Sequence, residues 1–233
     1  MVEGELVNLR VKAMLIDLDG TIVDIGEPLI EAAGQTASAL GLQDIDPKIG
    51  LELAKELQSN SSPVYVFAKF GVEEKMRKGF LETFLNTWHS IVPIRTALVP
   101  RADVTLRTLS QSYLLALITR RDMPKEPIRN ELERLGLTRY FKLIVTSQDV
   151  KEPKPSPQAF LIAADWLGVS PEECLVVGDS ITDIQAGRLA GARTAAVLSG
   201  LFSREELEKE KPDLIIKDIN SLLDFLPKKA NHA

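Results

Sequence analysis

Cysteine is nearly missing from this 233-residue chain: Cys174 stands alone, which excludes an internal disulfide and points to a reducing, cytoplasmic setting. It lies within Cys174-Leu175-Val176-Val177, an apolar run in which a buried thiol is expected rather than a reactive one. Histidine is almost as scarce, with only His89 and His232, so a metal site built on imidazoles is not expected. Long apolar runs are absent as well, and Met1 to Arg10 has no basic head followed by an apolar stretch. Neither a membrane anchor nor a signal peptide is expected there. Charge of one sign is not in excess: the net charge is −5, with no extended run of like charge, and nothing suggests a surface for nucleic acid or an anionic membrane. Internal repeats and low-complexity linkers are also absent. What remains is an ordinary globular composition, 45% hydrophobic and 26% charged, in a chain long enough to bury a large core. A small molecule is therefore the expected partner, and both monomer and homodimer stay open.

Among the residues that are present, Asp17-Leu18-Asp19-Gly20-Thr21 stands out, because the apolar run Ala13 to Ile16 delivers two carboxylates into a glycine turn. Residues two apart in an extended segment point to one side, so Asp17 and Asp19 would share a face at the strand's end. Two acids held together repel each other unless a cation or a shared proton intervenes, so the pair calls for a ligand or a reaction.

Along the chain, Val11 to Asp19 reads as a buried strand. From Pro28 the period turns helical, with Ile30, Ala33, Ala37 and Leu40 on one face and Gly41 as the stop. Asp46-Pro47 opens a second helix with Ile49, Leu53 and Leu57 buried, and Ser62-Pro63 a third ahead of Val64, Phe67 and Ala68. A longer helix after Gly71 carries Leu81, Phe84, Leu85 and Trp88, and Pro93 closes the region. Residues 26–95 thus form an all-helical block rich in aromatics, interrupting the alternation of a core made of residues 1–25 and 96–233. In that core, strands are expected at Tyr113 to Thr119, Leu143 to Thr146, Cys174 to Val177, Thr194 to Leu198 and Leu214 to Ile216. Helices are expected at Asp103 to Ser112, Pro124 to Leu135, from Ser156-Pro157 to Gly168, and at Thr182 to Leu189. Strands alternating with helices predict an α/β fold, a mostly parallel sheet covered on both faces, with ligands at the carboxyl ends of its strands.

Those strand ends carry polar groups: Asp17 and Asp19, then Thr119 with Arg120, then Lys154 in Lys154-Pro155-Ser156-Pro157. The last are Asp179 and Asp183 in Gly178-Asp179-Ser180-Ile181-Thr182-Asp183. In order and spacing this set resembles the haloacid dehalogenase superfamily of phosphohydrolases, in its phosphoglycolate phosphatase-like branch. The match runs through Asp17 to Thr21 with Ile22-Val23-Asp24, Thr119, Lys154 with Pro155 and Pro157, and Gly178-Asp179-Ser180 with Asp183.

The resemblance implies a Rossmann-like core with an inserted helical cap over residues 26–95, and a Mg²⁺-dependent phosphatase acting on a small phosphorylated metabolite through an aspartyl-phosphate. Asp17 would be the nucleophile and Asp19 the acid and base. Asp17, the Asp19 backbone carbonyl and Asp179 would hold Mg²⁺, with Asp183 orienting metal-bound water. Thr119, Lys154 and the Leu18 N–H would bind phosphate. Two positions depart from the pattern: Arg120, followed by Arg121, stands where asparagine is common, and Ile25 where serine is. Arg120 would add a bidentate phosphate contact, select an anionic substrate, or face solvent. Lys69, Lys75, Arg77 and Lys78 are the cap cations from which substrate identity could come. A phosphomutase would use the same core, whereas a dehalogenase would lack Asp19. A receiver-like phospho-acceptor or a non-catalytic binding module is the reading from another class, but a receiver carries its acidic pair ahead of the nucleophile and has no helical block.

Overall fold

The computed structural model describes residues 11–42, 44–59 and 61–225; Met1 to Arg10 and His232 lie outside them. Strand β1 (Ala13–Ile16) is apolar throughout and buried on both sides. A short strand β2 (Val23–Asp24) leads into helices α1 (Gly26–Ala39), α2 (Ile49–Gln58), α3 (Val64–Lys69) and α4 (Glu74–Arg95). Strand β3 (Ala97–Leu98) then returns antiparallel to β2. This pair brackets the helical block and has no counterpart in the expected strands, because two residues are too few to show a period.

Beyond it the alternation is regular: α5 (Ala102–Ser110), β4 (Leu114–Ile118), α6 (Lys125–Arg134), β5 (Leu143–Val145), α7 (Gln158–Leu167), β6 (Cys174–Gly178), α8 (Ile181–Leu189) and β7 (Arg193–Val197). Helix α9 (Arg204–Lys209), β8 (Leu214–Ile216) and α10 (Leu222–Phe225) complete the chain. The six longer strands form one parallel sheet in the order β5-β4-β1-β6-β7-β8. The chain runs outward from β1 through β4 to β5, then crosses back to β6 on the other side. The crevice between β1 and β6 is therefore the switch point where such sheets bind ligands.

Strand alternation divides the core. Met14, Ile16, Leu115, Leu117, Leu175 and Val177 face the cluster that holds α5, α6 and the whole helical block. Ala13, Leu15, Ala116, Ile118, Cys174 and Val176 face Ala159, Phe160 and Ala163 of α7 and Ala186 of α8. Helices thus cover both faces, as the sequence pattern required. Cys174 is buried there, and burial pushes its thiol up to about 11, so it is inert packing.

Helices α1 to α4 have no core of their own: Leu29, Leu53, Phe67, Phe80, Phe84 and Trp88 belong to the same apolar cluster as Met14 and Leu117. Two details differ from the sequence reading. The buried stripe of α1 is Leu29, Ala32, Ala33, Thr36 and Ala37, rotated off Ile30 and Leu40, because its small residues face α4. Pro93 does not end α4, which runs on to Arg95. The last turn holds despite the N–H that proline lacks, because Thr96 N–H and Oγ1 both reach the Val92 carbonyl.

Candidate active site

Three neighbouring strands end together. Asp17 N–H donates to the Val177 carbonyl at 2.9 Å and Thr119 N–H to the Val145 carbonyl at 3.0 Å, so the sheet ladder carries both residues to its carboxyl edge. Asp179 follows β6 directly. Past Asp17 the chain turns at once: the Leu18 carbonyl accepts from Ile22 and Val23 N–H, and Gly20 N–H donates to the Val23 carbonyl. The Leu18 side chain is buried, and its N–H donates to no protein group among the described residues. Gly20 holds φ +79°, and a Cβ there would lie 2.5 Å from Asp179 Oδ2. A Cβ on Gly200 would lie 1.7 Å from the same oxygen, so both positions need glycine to close around Asp179.

Lys154 sits at the centre. The residue is only 2% exposed, and its Nζ donates to Asp17 Oδ1 at 2.6 Å, Asp183 Oδ1 at 2.5 Å and the Ile118 carbonyl at 3.0 Å. Its three donors are thereby used. Asp183 is fixed by the start of α8, where its Oδ2 accepts from Ser180 N–H and Oγ in a capping box. Asp17, Asp179 and Asp183 each turn one oxygen into a group spanning no more than 4.8 Å. Among the described residues, Asp179 Oδ2 is buried without a hydrogen-bond partner.

One ammonium does not balance this charge. Burial pushes Asp17 up to about 7, with Lys154 opposing and Asp183 and Asp19 adding to the rise. Burial also raises Asp179 well above the carboxylate range, and Asp17 and Asp183 push the same way. For Lys154, burial alone would favour the neutral amine, but Asp17 and Asp183 outweigh it and the group stays protonated. An orphaned carboxylate oxygen in a cradle that no side chain could share, beside two more acids, suits a divalent cation with hard oxygen ligands.

Asp19 faces elsewhere. Arg121 grips it with two donors, Nε to Oδ2 at 2.8 Å and Nη2 to Oδ1 at 2.6 Å, while the rest of the guanidinium pairs with buried Glu131 of α6. Glu131 also accepts from Thr96 Oγ1 at the end of α4, and Arg134 donates to the Thr96 carbonyl at 2.9 Å. Although Asp17 and Asp19 lie two apart, they have different partners. Arg120 has a partner that the sequence did not point to. Its Nη1 donates to the Leu57 and Gln58 carbonyls at the end of α2, at 3.2 and 2.9 Å, because those final helical carbonyls have no partner within the helix.

A cavity of about 160 Å³ opens beside Asp19, lined by Leu29 of α1, Leu57 and Gln58 of α2, Phe84 and Trp88 of α4, and both arginines. The expected cap cations do not line it. Lys69 pairs with Glu52, Lys75 with Glu73 and Lys78 with Glu82, and Arg77 donates to the Val72 carbonyl. Sequence reasoning missed Glu131, Arg121 as the partner of Asp19, Gly200, and Gln58 with His89 as lining residues. One signal was readable: Glu131 falls on the apolar stripe of Ile128 and Leu132 in α6, continued by Leu135 just past its end, where an acid is out of place.

A parallel sheet that gathers buried aspartates and a lysine at the ends of its middle strands defines an α/β enzyme with an anionic centre built for a cation. The family model for haloacid dehalogenase-like hydrolases matches residues 14–197, and the chain belongs to that family. A phosphoglycolate phosphatase of Photorhabdus laumondii is 31% identical over 222 residues, 93% of this chain and 92% of its own length. An N-acetylmuramic acid 6-phosphate phosphatase of Pseudomonas aeruginosa is 28% identical over 232 residues, 94% of this chain and 96% of its own length. A haloacid dehalogenase-like hydrolase from Streptococcus pneumoniae superposes with a TM-score of 0.76 at 22% identity, over 93% of this chain and 98% of that one, a likeness of fold.

Proposed function

We propose that this protein is a Mg²⁺-dependent phosphatase that hydrolyses a small phosphorylated metabolite through an aspartyl-phosphate on Asp17. The observation that carries it is the meeting of Asp17, Asp179 and Asp183 around Lys154, with Asp179 Oδ2 left unpaired. Asp17, the Asp19 backbone carbonyl and Asp179 would hold the cation, with Asp183 behind them. Mg²⁺, when bound, supplies the positive charge that keeps the Asp17 carboxylate ionised next to a phosphate dianion.

The protein's own groups account for the remainder. An Asp17 oxygen attacks phosphorus, the ester P–O bond breaks, and Asp19 gives its proton to the departing alcohol oxygen. Water then adds to phosphorus with Asp19 taking its proton, the bond to Asp17 breaks, and inorganic phosphate leaves. Both Asp19 oxygens rest on Arg121, so one of those contacts opens for each proton transfer. The Leu18 N–H and the Thr119 hydroxyl receive the phosphoryl oxygens, and Lys154 joins them by releasing one of its three present acceptors, which offsets the charge that builds there. Residues 26–95 act as the cap: α1, α2 and α4 wall the cavity beside Asp19, where they exclude water while the alcohol leaves. The two phosphatase relatives are named for different substrates, so neither name transfers by itself.

The test is Mg²⁺-dependent release of phosphate from p-nitrophenyl phosphate. Turnover by the wild type that chelation abolishes is expected. No turnover by a folded, Mg²⁺-supplied protein on this ester or on sugar, glycolate and nucleotide phosphates would refute the proposal.

A further inference from the structure

We infer that Arg120 is a specificity-determining residue whose guanidinium receives a carboxylate on the alcohol portion of the substrate; this rests on the phosphatase reading above. Arg120 follows Thr119 past the end of β4 and lines the cavity beside Asp19. Only its Nη1 is engaged, on the Leu57 and Gln58 carbonyls of α2. Among the described residues, its Nε and Nη2 donate to no protein group and no acid pairs with it. Arg121, next in the chain, uses that same edge, Nε with Nη2, to grip both oxygens of Asp19. A carboxylate on the substrate fits the free edge of Arg120 in the same way, through two parallel bonds.

The charges around the cavity agree. Arg121 spends its donors on Asp19 and Glu131, and burial lowers the His89 pKa, which leaves that imidazole neutral near pH 7. Arg120 is thus the lining cation without an acid beside it, among the described residues. Burial pushes its pKa down as well, and the charges of Asp183 and Asp17 do not make up the difference, so an anion at its free edge would be favoured. Those two acids are already held by Lys154. The hold on α2 keeps Arg120 at the wall it shares with Leu57, Gln58 and Trp88, on the side of the alcohol rather than of the nucleophile. A carboxylate brings one negative charge to this one cation. A second phosphate would bring two into a cavity of only about 160 Å³.

The test compares kcat/KM, with Mg²⁺ present, for the phosphate esters of glycolate, 3-hydroxypropionate and 4-hydroxybutyrate, each beside its carboxamide, which keeps the shape and removes the charge. The best of these acids is expected to exceed its amide by about tenfold or more, the size of one charge-assisted contact. Arg120→Met is expected to bring that ratio to within about twofold of one, and Arg120→Lys to keep part of it, since an ammonium retains the charge and loses the fork. Any loosening of α2 in these variants lowers acid and amide alike and cancels in the ratio. Amides hydrolysed as well as their acids at every chain length would overturn the inference and leave the phosphatase intact. So would a ratio that survives Arg120→Met, or propanediol bisphosphate preferred over every acid. Hydrolysis of p-nitrophenyl phosphate with all the acids and amides refused would overturn it too. Failure of the folded protein on every ester, p-nitrophenyl phosphate included, would instead overturn the phosphatase reading itself.

Discussion

Lys154 is the residue on which the acidic centre depends, because a single buried ammonium faces two carboxylates at 2.5 and 2.6 Å. Replacing it with methionine keeps the volume and leaves those acids unopposed. Lys154→Met should lower stability by about 3–5 kcal/mol in chelator, read by urea unfolding, and lower kcat by roughly 100-fold or more. Unchanged stability and turnover would show that the lysine neutralises nothing. Arg121 plays the matching part for Asp19 and Glu131, with its side chain only 1% exposed. Arg121→Met should likewise cost about 3–5 kcal/mol. The double variant Arg121→Met with Glu131→Leu should recover part of that loss, because it removes a buried charge along with its partner. A double variant that is fully additive in urea unfolding would exclude the pairing.

At the scale of elements, one contact that joins the helical block to the catalytic edge is Arg120 on the last carbonyls of α2. Hydrogen bonds to charged groups are worth about 1.5–3 kcal/mol. Arg120→Leu should therefore raise amide hydrogen exchange in α2 while leaving β1 and β6 protected; equal exchange in the variant and the wild type would contradict the role. The elements themselves were largely legible from sequence. Leucine- and valine-rich runs placed the long strands to within three residues, since buried parallel strands leave an unbroken apolar signal. The two-residue β2 and β3 and the short α9 were not, because pieces so brief have no period. The Asp17 and Asp19 pair stood out at a strand end, while Lys154, Asp179 and Asp183 were singled out by resemblance to the family's motifs. The partner of Asp19 was not, since Arg121 and Glu131 meet only when β4 and α6 pack, and adjacency in sequence drew attention to Arg120 instead. Lys69, Lys75 and Lys78 misled for a similar reason: a charge in a helical block shows nothing of which side it occupies.

For the whole molecule, the sheet order places β1 between the two halves of the chain, so that residues far apart in sequence converge at one edge. That convergence loads buried negative charge into the folded state, and it gives a pH signature. Asp17 titrates near 7 in the folded protein against an ordinary 3.8. Between these values the metal-free folded chain holds a proton that the unfolded chain has lost, so this group's contribution to stability falls as pH rises through that window. A divalent cation competes with that proton. The rise in Tm on adding about 10 mM Mg²⁺ should therefore be larger near pH 8 than near pH 5. A rise independent of pH would mean that the cation binds away from these acids.

The central claim is that the Asp17 carboxylate bonds to phosphorus. Rapid acid quench of the turning-over enzyme, followed by peptide mass analysis, tests it most directly. The account predicts a peptide containing Asp17 that is heavier by one phosphoryl group, lost on mild base treatment and absent in Asp17→Asn, which should also be inactive. Full phosphate release by Asp17→Asn, with no phosphoryl group on that peptide in the wild type, would contradict it.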